Sequence, residues 1–358
     1  MGRVLYCTRE EVADAFDVRE AAHRSAQIDS AIASASNNID GWLNRHRHGL
    51  APQYATRYFN WPFRNYSQPW RLWLDENELI SVTTLTSAGV AIPSTDYFLE
   101  PVNSGPPFTY VEIDQSSSAS FSNDGTAQRA LSILGLWGYS DEQASAGLLS
   151  AAVVSTTATT VDVTDSFAIG VGSLLKVDSE RLIVTAKSSL TTGQVLVSAM
   201  DVNKADVVVD VADGTQLHVG ETILIDSERM KIVDIAGNNV TVVRAHDGSV
   251  LAAHLLGATI YAPRRLTVER AAQGSTAATH LISAPVTKWV VPDLVRQLAR
   301  AEAITSLEQE FSAYGVRVYS DEAERDSSGT EVVSGRGLSD LRKSCARAYK
   351  RKFRKAAV

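Results

Sequence analysis

Cysteine is nearly missing from this 358-residue chain: Cys7 and Cys345 stand close to opposite ends. Two thiols so placed make neither a disulfide framework nor a zinc cluster, and they fit maturation in a reducing cytoplasm. No run of about 18 apolar residues occurs, which excludes a membrane-spanning helix. The opening MGRVLYCTREEV lacks the apolar core of a secretory signal. Aromatic residues are scarce in the middle: all six tryptophans lie outside 140–288, where Phe167 and Tyr261 alone are aromatic.

Sequence signatures of chemistry are also missing. There is no P-loop, HExxH, nucleophile elbow or CxxC. GVGSLL at 170–175 lacks the third glycine of a dinucleotide fingerprint, and His46 and His48 have no companion ligand nearby. No catalytic, cofactor-binding or metal-binding residue is therefore assigned, and the expectation is a protein that is not an enzyme.

What is present divides the chain. The hydrophobic fraction of 44% supplies real cores, and the length suits two or three domains. Residues 146–286 are rich in Val, Thr, Ala, Ser and Gly, the composition of short strands and tight turns. They read as an all-β domain inserted into an aromatic-rich host made of 1–145 and 287–319. The expected fold class is α+β: a helical-bundle host domain with short strands, carrying a large inserted all-β domain with internal repeats.

In the host, Thr8 and Glu11 have capping-box spacing. A helix over 19–46 places Ile28, Ile32, Ala35, Ile39 and Trp42 on one face. WRLWLDENELISVTTL, DYFLEP, TYVEI and QRALSILGLWGY read as strands. Pro292 opens another helix, with a stripe of Leu294, Leu298, Ala301, Ile304, Leu307 and Phe311.

Two internal repeats stand out. Asp-Ser-Glu-Arg occurs at 178–181 and at 226–229, within a similarity at an offset of 48 that also matches VDV at 161–163 with VDV at 209–211. Alternating apolar residues on either side predict a hairpin with a polar tip. No histidine recurs in that repeat, so its serines have no base in the sequence. The second repeat, VVRAHDGSVLAAH (242–254) and VERAAQGSTAATH (268–280), has an offset of 26. Its arginines and histidines read as groups trimming strand edges.

A polar linker over 320–337 leads to a basic helix over 338–358. From Arg336 onward nine basic residues face Asp340 alone, leaving −15 on the rest of a chain whose total is −7. The segment seeks an acidic protein surface or DNA phosphates. The candidate docking or DNA-contact residues are Leu341, Arg342, Lys343, Arg347, Tyr349, Lys350, Arg351, Lys352, Phe353, Arg354 and Lys355.

The order of elements resembles the head-to-tail adaptor (connector, head-completion) proteins of long-tailed double-stranded DNA bacteriophages. The resemblance runs through TREEVADAFDV, AIASASNNIDGWLNR, RLWLDENELISVTTLTSAG, STDYFLEPVN, LGLWGYSD and VPDLVRQLARAEA, over roughly 1–145 and 287–314. It implies a virion neck protein made in the bacterial cytoplasm. Such adaptors form a homo-oligomeric ring, usually of twelve copies, between the portal protein and a tail-side stopper or terminator. Double-stranded DNA passes through the channel without sequence recognition, and no membrane is involved. The inserted repeats resemble small β modules of phage structural proteins. The alternative is a β-rich adhesin-type protein of a phage tail, which needs aromatic platforms that the β segment lacks.

Overall fold

A computed structural model of the chain describes residues 4–15, 25–45, 49–61, 68–311 and 336–351. Two compact units emerge, one of Met1–Ile39, Gln143–Ala272 and Thr276–Arg347, the other of Asp40–Glu142, Gln273–Ser275 and Ala348–Val358.

The expectation of a helical-bundle host is overturned. The described residues hold seventeen strands and four helices, and 53–137, expected as part of that host, is built from strands. The physical reason lies in the alternation there of β-branched and aromatic residues with polar ones, which suits a pleated surface and not a bundle. In the second unit β1 (Gln53–Phe59), β7 (Leu131–Trp137), β3 (Leu79–Ser87) and β4 (Val90–Ile92) form one antiparallel sheet. A second sheet joins β2 (Arg71–Trp73), β6 (Tyr110–Ile113) and β5 (Tyr97–Glu100). Leu72, Leu79, Leu85, Val111, Leu131, Ile133 and Trp137 share their core. The Trp137 indole N–H donates to the Ala55 carbonyl at 2.9 Å, so this fully buried ring leaves no polar atom unpaired.

The first unit contains a duplication that neither sequence repeat reveals alone. One copy uses β8 (Gln143–Leu148), β9 (Thr160–Asp162), β10 (Leu174–Val177), the first part of β11 (Glu180–Val195), the second part of β16 (Thr259–Glu269) and β17 (Pro285–Trp289). The other uses β12 (Val208–Asp210), β13 (Thr222–Ile225), β14 (Glu228–Ala236), β15 (Asn239–Val243) and the remaining parts of β11 and β16.

The registers coincide. Val184 pairs with Val268 as Ile232 pairs with Val242; Asp162 pairs with Arg265 as Asp210 pairs with Asn239; Val177 pairs with Val286 as Ile225 pairs with Ile260. Each copy closes on itself through one bridge, Leu149 to Val163 in the first and Leu196 to Val211 in the second. Each is thus a small six-stranded barrel with its own core. The cores correspond side chain for side chain: Leu149, Val153, Val161, Val163, Ile169 and Leu175 in one match Leu196, Met200, Val209, Val211, Leu217 and Ile223 in the other.

The second barrel is nested inside the first. Its β14–β15 hairpin turns at Gly237-Asn238, between the paired Ala236 and Asn239. The equivalent point of the first barrel lies between Ser188, paired with Arg265, and that arginine. There the chain runs on through the whole second barrel before it returns. The offset of 48 applies before this point and that of 26 after it, which is why the sequence displays two unequal repeats.

Helix α1 (Arg9–Ala13) carries the expected capping box, with Thr8 and Glu11 each satisfying the other's backbone N–H. It docks on the first barrel: Glu10 Oε2 accepts from the Val171 N–H at 2.9 Å, and the Arg9 N–H donates to the Val171 carbonyl at 3.1 Å. Gly170 and Gly172 make this approach possible, since a Cβ on Gly170 would lie 2.5 Å from the Thr8 Cβ. Helix α2 (Ser25–Trp42) buries Ile28, Ile32, Ala35 and Ile39 of the expected stripe, whereas Trp42, expected on the same face, is 52% exposed at the end of the helix. Helix α3 (Asp293–Phe311) buries Val295, Leu298, Ala299, Ala303 and Leu307, and helix α4 (Arg336–Tyr349) follows. Most of the expected 320–337 linker lies outside the described residues.

Candidate functional sites: twin ionic nodes and the basic tail

The Asp-Ser-Glu-Arg segments form two-residue hairpin turns, with Val177 paired to Glu180 and Ile225 paired to Glu228. Asp178 and Asp226 hold the positive φ of 52° that such a turn demands and that aspartate tolerates. The glutamate that follows points into the barrel, where the second repeat meets it.

Around Glu180, the Arg270 Nε and Nη2 donate at 2.7 Å each, the Ala271 and Ala278 N–H groups at 3.0 Å, and His280 Nε2 lies at 2.8 Å. Around Glu228, Arg244 binds through Nε at 3.1 Å and Nη2 at 2.8 Å, Ala245 and Ala252 donate at 2.9 and 3.0 Å, and His254 Nε2 lies at 3.0 Å. The other ring nitrogen reaches the turn aspartate: His280 Nδ1 to Asp178 at 2.7 Å and His254 Nδ1 to Asp226 at 2.8 Å. Burial opposes ionisation of Glu180 and Glu228, yet the arginine, the two backbone N–H groups and the histidine together hold each carboxyl down at about 2.

These contacts correct two expectations. Histidine does recur with the Asp-Ser-Glu-Arg turn, but in space, brought by the second repeat. Arg244, Arg270, His254 and His280 do not trim strand edges, because all four are buried or nearly so. The nodes pin an irregular loop to a hairpin tip. Both histidine nitrogens are committed to carboxylates, so neither is left to activate Ser179 or Ser227. Among the described residues, no group of three or more His, Cys, Asp or Glu side chains is arranged to hold a metal ion.

A cleft of about 740 Å³ in the same unit is lined by Glu10, Asp14, Lys187, Glu221, Lys231 and Lys288 among others. Its lysines are already engaged. Lys187 and Lys288 donate to the Ile169 and Ala168 carbonyls at 2.6 Å, and Lys231 pairs with Asp14 at 3.1 Å. Burial raises the thiols of Cys7 to about 12 and Cys345 to about 11, which leaves them poor nucleophiles at neutral pH.

The basic tail is partly built into this chain. Arg342 Nε donates to Glu302 of α3 at 2.8 Å, Leu341 is half-buried and Cys345 is fully buried. In the other unit, Tyr349 stacks edge-on against Tyr139 at 5.3 Å. Arg351 is buried there with its guanidinium 3.6 Å from Glu78, while Arg45 pairs with the same carboxylate and donates to the Tyr349 carbonyl at 3.0 Å. Neither Arg45 nor Glu78 carried a sequence signal. Lys343, Arg347 and Lys350 are exposed, Lys343 lying 3.5 Å from Asp340. Lys352, Phe353, Arg354 and Lys355 lie outside the described residues.

No family model, curated protein or solved structure matches the chain. Among the described residues no helix is long and apolar enough to cross a membrane.

Proposed function

We propose that the chain is a structural virion protein of a long-tailed phage: a ring adaptor at the neck, between the portal and the tail-side connector, around the DNA channel. The observation that carries a structural role is the closure of both ionic nodes. Every carboxylate oxygen of Glu180 and Glu228 is occupied by donors from the same barrel, and the arrangement is used twice. Duplicated, partner-saturated clusters suit a scaffold, whereas catalysis needs a reacting group left free. The neck assignment rests on the resemblance in the order of helices and strands over roughly 1–145 and 287–314, not on a helical bundle.

The acidic remainder of the chain supports a channel wall along which DNA slides, since fixed cations would release counterions and retain it. Arg347, Lys350 and the cluster at 352–355 are the groups assigned to an acidic surface of the portal, because Arg342 and Arg351 are committed within the chain. The test is imaging of virions labelled with an antibody against 146–286. Label at the head–tail junction is expected, together with DNA-filled, tailless heads when the chain is missing. Label at the tail tip would overturn the assignment and favour the adhesin reading.

A further inference from the structure

The two barrels act as an internal alignment, because whatever the fold alone does not require is free to diverge between them. Exposed positions have mostly done so: Lys204 stands where the first barrel has Thr156, and Val250 where it has Thr276. One set of exposed positions has stayed aliphatic in both. Leu148, Val154, Leu281 and Ile282 are 42, 83, 80 and 61% exposed in the first barrel. Their equivalents Val195, Val202, Leu255 and Leu256 are 40, 64, 79 and 67% exposed in the second.

Backbone pairing draws each set along one rim. Val153 and His280 exchange two hydrogen bonds at 2.9 Å, and the Ser283 N–H donates to Leu149 at 2.9 Å. Met200 and His254 exchange the same pair at 2.9 Å, and the Gly257 N–H donates to Leu196 at 2.8 Å. The node histidine therefore fixes the exposed dipeptide that follows it, Leu281-Ile282 or Leu255-Leu256.

Four side chains at these exposures present roughly 400 Å² of aliphatic surface per rim, within the size range in which the largest apolar patch of a monomer is often functional. The rims, 148–154 with 280–284 and 195–202 with 254–258, contain no lysine, arginine or aromatic residue. A bilayer-docking surface combines its apolar face with those residues, and a saccharide platform needs aromatic rings. A protein partner remains, and two near-identical rims call for a partner that offers its sites in duplicate. A second copy of this chain does so automatically.

We propose that the first-barrel rim of one copy packs on the second-barrel rim of the next. Such a contact is head-to-tail, so it propagates from copy to copy, and it closes into a ring where the rotation between successive copies returns to the start. The proposal rests on the ring reading above and names the contact that builds the ring. Two rims together cover roughly 800 Å², short of the roughly 1,200–2,000 Å² of a standard stable interface, so they form the apolar centre of a wider contact.

The test is the mass of the purified full chain by sedimentation velocity. Wild type is expected as species larger than dimers. Leu281→Ser/Ile282→Ser and Leu255→Ser/Leu256→Ser each disable one rim without touching a core, and circular dichroism melts check their folding. Each variant alone is expected as monomer, and the two mixed as a heterodimer that grows no further. A Leu256→Cys/Ile282→Cys variant under mild oxidation is expected to yield a ladder of covalent oligomers. Oligomeric wild type with unchanged variants and no ladder overturns the rims and leaves the ring reading intact. A single-rim variant that stays dimeric overturns the head-to-tail contact. A wild type that is monomeric at every concentration overturns both the contact and a self-assembling ring.

Discussion

Glu180 and Arg270 lie 90 residues apart and form a two-pronged ion pair, both bonds at 2.7 Å, inside the first barrel. The whole second barrel separates them in sequence. Its own pair, Glu228 and Arg244, spans only 16 residues. The same interaction is local in one copy and long-range in the other, as nesting requires.

Glu180→Gln and Glu228→Gln each leave a buried arginine and histidine without their charge partner. A loss of about 3–5 kcal/mol is expected for each, as for breaking one partner of a buried pair. Urea denaturation of the full chain measures it. Ser179→Ala and Ser227→Ala, on the exposed tips, are expected to shift stability by no more than about 0.5 kcal/mol. A large serine effect would return a functional role to the turn.

Acid should unlock the nodes. The folded-state pKa of Glu180 and Glu228 is about 2, below the ordinary value of 4.5. A depressed carboxyl contributes stability that is complete above the unfolded pKa and is lost as pH falls through the folded one. Stability is therefore expected to decline between about pH 4.5 and pH 2, and thermal melts across that range report it. The double Glu→Gln variant should show a flatter slope over the same window.

Nesting predicts that the barrels separate. Residues 189–264 expressed alone should give a cooperative melt and a β-type circular dichroism spectrum. Conversely, replacing 189–264 with Gly-Asn, the turn of the second barrel, should join Ser188 to Arg265 and leave the first barrel folded. A disordered spectrum for either product would sink the idea of two self-contained barrels.

Gly170→Val should drive α1 from the barrel, because the first added carbon already collides with Thr8. Hydrogen exchange at Arg9–Ala13 is expected to accelerate while the barrel strands keep their protection. Equal exchange in the wild type and the variant would show that α1 does not depend on this glycine.

The sequence by itself determined the local elements. Capping-box spacing placed α1, the three-to-four periodicity of Ile28, Ile32, Ala35 and Ile39 fixed the buried face of α2, and Asp-Ser between alternating apolar runs specified both hairpin tips. These depend on interactions within a few residues, which a linear pattern records directly. Closure of the strand ladders decided the rest. It turned repeats of unequal offset into two copies of one barrel, carried His280 and Arg270 to Glu180, and left Leu281 and Ile282 outside where composition alone would bury them. It also drew Arg351 out of a run that reads as a docking or DNA-contact surface, onto Glu78. Such pairings join residues whose separation is set by topology and not by period, so only the folded chain brings them together.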